Sequence, residues 1–189
     1  RPAATTPIPG ATPSIEPVDL DLDGDVDLVD STQPEETLLR ENLAVPRAGV
    51  VTCVPSFPNS AGVRGRLDVL GAPRASGSEL VLHATGLPGS VFGIFIGAPM
   101  VQDGALLPNS LGTLCLGGAL GRYQGPGEVL SSGPAGTFSL GVASTDLRSG
   151  ATLVPAFAGL EWSFQAWYRD LDASGPTSNT TEAVTVTFL

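Results

Sequence analysis

The sequence contains no lysine, and all nine basic residues are arginines. That excludes a phosphate-loop lysine, a Schiff-base lysine and a Lys–Asn isopeptide crosslink. Histidine is nearly absent too, with His83 alone. Cys53 and Cys115 are the only cysteines, so a Cys/His zinc site lacks ligands. Aromatic residues make up 6% of the chain, which is little for a surface that stacks on sugars. No apolar run approaches the ~20 residues of a membrane-spanning helix, so no membrane insertion is expected. Positive charge is scarce: nine arginines face nineteen carboxylates, for a net −10. Such a balance disfavours nucleic acid and anionic membranes as partners. No leader peptide is visible, and the chain opens on Arg1, which reads as a mature, processed product.

Glycine and proline are abundant, at 24 and 17, and favour turns over long helices. The carboxylates are unevenly placed. Residues 1–47 hold ten against three arginines, for −7, and residues 48–189 hold nine against six, for −3. The densest stretch runs Asp19-Leu-Asp21-Leu-Asp23-Gly24-Asp25-Val26-Asp27-Leu-Val-Asp30. Counted from Asp19, carboxylates fall at loop positions one, three, five, seven, nine and twelve. Gly24 falls at position six, where a Ca²⁺ loop turns sharply, and Val26 at position eight. Without a cation six clustered aspartates would repel one another; the plainer alternative is an acidic, solvated linker. The spacing predicts calcium ligation by Asp19, Asp21, Asp23, Asp27 and Asp30 through their side chains and by Asp25 through its carbonyl. Asp30 replaces the bidentate Glu of sensor loops. In this the stretch resembles the EF-hand-like loops of dockerins. Dockerins carry two loops, each followed by a helix, whereas one is found here, so cohesin binding is not implied.

The chain divides into three parts. Residues 1–18 contain Pro2, Pro7, Pro9, Pro13 and Pro17 and read as an extended, proline-rich arm. Residues 19–47 hold the calcium loop and a short helix, expected over Glu36–Glu41 because Thr32-Gln-Pro-Glu35 has the form of a capping box. Residues 48–189 show short β-like runs between glycine and proline turns. Strands are expected near 50–54, 63–70, 78–85, 91–97, 111–117, 136–143, 152–157, 160–169 and 182–188. Nine short strands without intervening helices predict an all-β, antiparallel sandwich of jelly-roll or immunoglobulin-like type. In the run from Glu161 to Tyr168, alternation puts Trp162, Phe164, Ala166 and Tyr168 on one face and Ser163, Gln165 and Trp167 on the other. Cys53 and Cys115 are expected to form one disulfide in an oxidising compartment; two buried thiols are the alternative.

Four segments carry a further likeness: Gly86–Gly93, Leu114–Tyr123, Trp162–Asp170 and Thr177–Phe188. They resemble an uncharacterised β domain of large secreted proteins from Planctomycetes and similar bacteria, over roughly residues 50–189. The resemblance implies export and a β fold, and supplies no activity, ligand or site residue.

No catalytic constellation emerges. His83 lies in an alternating strand without a nucleophile-elbow serine, and the carboxylates outside the calcium loop are scattered. Asn179-Thr-Thr181 fits the N-glycosylation pattern. The expectation is therefore a non-enzymatic, calcium-stabilised extracellular protein. Its expected role is a structural subunit that assembles with copies of itself into a surface filament, appendage or matrix. The arm would bridge subunits through Ile8, Ile15 and Val18, since ordering eighteen residues on a convex surface is entropically costly. The alternative is a carbohydrate-binding or adhesive module, with Trp162 and Trp167 as candidate contacts to an extracellular glycan.

Overall fold

A computed structural model describes residues 47–53 and 57–189 in full, together with the backbone of three strands nearer the N-terminus. The chain forms two compact units, Arg1–Pro46 and Arg47–Leu189. In the first, β1 (Ile15–Val18), β2 (Asp27–Gln33) and β3 (Glu36–Arg40) pair antiparallel in that order. Ile15 lies opposite Asp30 and Val18 opposite Asp27. The helix expected over 36–41 is corrected here: Glu36–Arg40 is a strand. One helical turn is unstable alone because nucleation fixes several residues for a single hydrogen bond. Pro34 also biases Gln33 to extended backbone. Pairing Leu28 with Arg40 and Val29 with Leu39 gives β3 a ladder that a lone helical turn lacks.

The described residues of the second unit form fourteen strands. In chain order they are β4 (Val50–Cys53), β5 (Arg66–Leu70), β6 (Glu79–Thr85), β7 (Phe92–Ala98), β8 (Met100–Leu106), β9 (Thr113–Gly117), β10 (Gly121–Tyr123) and β11 (Leu130–Ser131). They continue with β12 (Phe138–Ala143), β13 (Leu147–Ser149), β14 (Thr152–Val154), β15 (Glu161–Asp172), β16 (Gly175–Thr180) and β17 (Ala183–Thr187). The main sheet runs β10-β7-β15-β17-β4, with β11 added to β7 and β16 to β15. The second sheet runs β12-β6-β5, and β8–β9 and β13–β14 form separate hairpins. All pairings are antiparallel, and the described residues contain no helix.

Period-two alternation builds the core. In β6, Leu80, Leu82 and Ala84 are buried while Val81, His83 and Thr85 between them are not fully covered. Leu67 and Val69 of β5 and Phe138 and Val142 of β12 join them. Against this face the main sheet sets Phe95, Trp162, Phe164, Tyr168, Val184 and Val186, so the two sheets pack as a sandwich. Phe95 and Phe138 meet edge to face at 5.1 Å. Gly93 makes room for that contact: a methyl group there would sit 2.7 Å from the Phe138 ring.

The outer face of the main sheet is partly covered as well. The β8–β9 hairpin lies over it, closing a second, smaller core of Ile96, Ala98, Cys115, Leu116 and Ala183. Gln165, fully buried, ties the hairpin down. Its amide donates to the carbonyls of Thr113 (2.8 Å) and Thr181 (2.9 Å), and its oxygen accepts from the Cys115 N–H (3.1 Å).

Candidate functional site

Asp19, Asp21, Asp23, Asp25 and Ile8 lie outside the described residues. Asp27 and Asp30 fall in β2, and Ile15 and Val18 close the two ends of β1. The twelve-residue stretch thus begins just after β1 and ends within β2. Among the described residues no cluster of three metal-ligating side chains occurs.

Cys53 and Cys115 form the expected disulfide, with Cα atoms 6.0 Å apart. It joins β4, at the end of the main sheet, to β9 of the overlying hairpin. Trp162 is in the core with 1% of its surface exposed, so it offers no platform to a sugar. Alternation along β15 turns Trp167 outward, where it packs on the second core and Arg169 lies over its ring at 5.1 Å. Asn179 is fully buried in β16, which closes its sequon to a glycosylating enzyme.

Three clusters escaped the sequence because their members are distant in the chain. The first is a row across the second sheet: Asp68 and Ser139 both lie opposite His83, on β5 and β12. His83 Nδ1 and Ser139 Oγ are 2.7 Å apart. Asp68 is paired with Arg47 at 3.3 Å. The row resembles an acid–base–nucleophile series, but the His83–Ser139 pair lies exposed on an open sheet face. A nucleophile there has no enclosed oxyanion site to stabilise developing charge.

The second cluster surrounds Arg148. Its guanidinium bonds Glu128 at 2.7 and 2.8 Å, Asp146 at 3.3 and 3.5 Å and the Arg122 carbonyl at 3.2 Å. All five N–H donors are thereby used. It also stacks on Tyr123 at 4.7 Å. Burial works against the Arg148 charge, yet Glu128 and Asp146 outweigh it and raise its pKa. Burial likewise holds the Tyr123 hydroxyl far above its ordinary range. The cluster borders a cavity of about 510 Å³ that Arg122, Gln124 and Leu153 also line. Arg148 is saturated and structural, which leaves Arg122 and Gln124 to meet a ligand.

The third is a groove of about 380 Å³ on the outer face of the main sheet. Val50, Pro99, Met100 and Val101 wall it. Thr52, Thr185, Thr187 and Ser163 supply a floor of hydroxyls, and Glu161 is its one charged lining residue. Ser163 Oγ lies 2.7 Å from Thr185 Oγ1, which donates to Thr52 Oγ1 at 3.2 Å. Apolar residues crowd the area in water: Val50 is 65% exposed, Val51 56% and Met100 59%.

The chain matches no family model, no curated protein and no solved structure.

Proposed function

We propose that this protein is a non-enzymatic extracellular structural subunit that assembles with copies of itself into a surface filament, appendage or matrix. The observation that carries the reading is the exposed end of the main sheet. β4 has no partner on its outer side among the described residues, and Val50 and Val51 stand in solvent. Natural sheets blunt such edges with charge, proline or a cover; an apolar edge left open is a pairing site. The disulfide fits an oxidising, extracellular compartment, and the likeness to secreted planctomycete-type domains points the same way. Calcium, held by Asp19, Asp21, Asp23, Asp27 and Asp30 with the Asp25 carbonyl, would fix the segment joining β1 to β2.

The test is sedimentation and electron microscopy of the full chain and of a chain lacking residues 1–14, a deletion that spares β1. The full chain should assemble and the truncated chain remain monomeric. Chelation should weaken assembly and lower the melting temperature; Asp23→Ala should abolish the calcium-dependent gain. A full chain that is monomeric under all conditions, or a truncated chain that assembles normally, removes the proposal. A binding module for extracellular glycans is the second reading. The 510 Å³ cavity with Arg122 and Gln124 favours it, and glycan binding by a monomer lost on Arg122→Ala would establish it.

A further inference from the structure

The open edge of β4 adjoins the groove on the sheet face. We infer that this edge receives residues 6–14 of a second copy as an added strand, with side chains on the outer face reaching the groove; this rests on the assembly reading above. Three observations lead there.

The edge is rigid before anything binds. β4 is bonded to β17 on one side, with Val50 opposite Thr185 and Cys53 opposite Ala183. The disulfide then locks its far end to β9. A preformed edge loses little entropy on pairing, so more of the contact energy appears as affinity.

The guest has a one-sided proline pattern. Pro7, Pro9, Pro13 and Pro17 all occupy odd positions. In an extended chain the N–H and C=O of each residue point to one edge, and those of the next residue to the other. Every missing N–H in this stretch would therefore fall on the odd edge. Thr6, Ile8, Gly10, Thr12 and Ser14 keep both donor and acceptor on the even edge. Such a segment can pair once and cannot be paired again from its other side, which is how prolines are tolerated in edge strands. Pro17 already occupies this setting, in β1 at the end of its sheet.

Charge agrees. Residues 1–14 contain Arg1 and no carboxylate, for +1 in a chain of −10. Glu161 lines the groove and Asp103 lies in β8 next to it. Residues 6–14 carry no charge themselves and so meet Glu161 without repulsion, while Ile8 is the apolar side chain to set against Val50 and Met100.

The experiment uses proline parity in the full chain. Ala11→Pro adds a proline to the odd edge and should leave assembly within about twofold of wild type. Thr12→Pro removes an even-edge donor and should weaken it at least tenfold. Val51→Lys, at an exposed edge position, should weaken it to a similar degree without loss of fold by circular dichroism. Mixing an Ile8→Cys chain with a Met100→Cys chain should give an intermolecular crosslink. If the full chain assembles but both proline variants and Val51→Lys behave as wild type, the docking site is wrong and the assembly reading stands. Assembly that responds to proline parity but not to Val51→Lys places the guest on another edge and overturns the site. A single chain carrying both cysteines that crosslinks within a monomer overturns the second copy as occupant. A full chain that never assembles overturns both readings.

Discussion

Single residues in this protein hold roles that their neighbours in sequence conceal. Asp170 is the one buried carboxylate among the described residues. It accepts from the Ser60 N–H (3.0 Å), the Leu171 N–H (2.8 Å) and the Asn179 amide (3.3 Å). Beside it, Asn59 donates to the Tyr168 hydroxyl, and burial pushes that phenol up to about 12. Glu182 is less settled. Burial raises its carboxyl above the usual range, although the Leu67 N–H donates to it at 3.1 Å. A raised folded value means that the native state prefers the proton. The stability this group contributes is complete below the unfolded pKa and is lost as pH rises through the folded one. Glu182→Gln should therefore melt higher than wild type at pH 7 and equally below about pH 4. Thermal scans at both pH values check this, and a constant difference would contradict it. The inward row Trp162, Phe164, Ala166 and Tyr168 was legible from alternation alone, and all four are buried. The burial of Ser163 and Gln165 on the opposite face was not, because one strand's pattern does not say what covers its second side.

At the level of elements, the expected strands all appear with boundaries shifted by a few residues, and others join them. β16 is Gly-Pro-Thr-Ser-Asn-Thr, a composition that reads as a turn. It becomes a strand because it folds back on the end of β15, pairing Asp170 with Thr177 and Trp167 with Thr180. β8 escaped for another reason: all seven of its residues are exposed, so no core face organises its sequence. Tertiary pairing overrides weak strand preference in both places. The disulfide was legible from two cysteines in separate apolar runs, but its partner elements were not. It spans 62 residues, for which chain entropy alone gives about 4 kcal/mol. Replacing both cysteines with serine should cost about that much in urea unfolding. Amide exchange should show the β8–β9 hairpin opening first, because only non-covalent ties, the bonds from Gln165 and Thr180 to β9 and the small second core, would then hold it down. Uniform loss of protection across the main sheet would be inconsistent with that order.

Over the whole molecule, acidity and packing are segregated. Residues 1–47 hold −7 of the −10 net charge, whereas the buried apolar residues among those described run from Ala48 to Phe188. A fragment beginning at Arg47 should therefore unfold cooperatively, with the disulfide intact. A molten fragment, seen as lost near-ultraviolet dichroism, would show that the first unit is needed for the fold. The position of the disulfide also settles how this unit bears tension. Val50 faces Thr185 and Cys53 faces Ala183, so the start of β4 and the end of β17 lie at the same end of the pair. A pull between the two ends of the unit peels these strands apart one hydrogen bond at a time, the weakest way to load a ladder. Peeling stops at Cys53, where the load passes through sulfur to Cys115. The intervening 62-residue stretch is short-circuited, which withholds roughly 200 Å of contour from extension. β5, β6, β7 and β8 all lie inside that sheltered loop, so stretching in an oxidising medium would leave about a third of the unit's strand residues off the load path until the sulfur bridge is reduced.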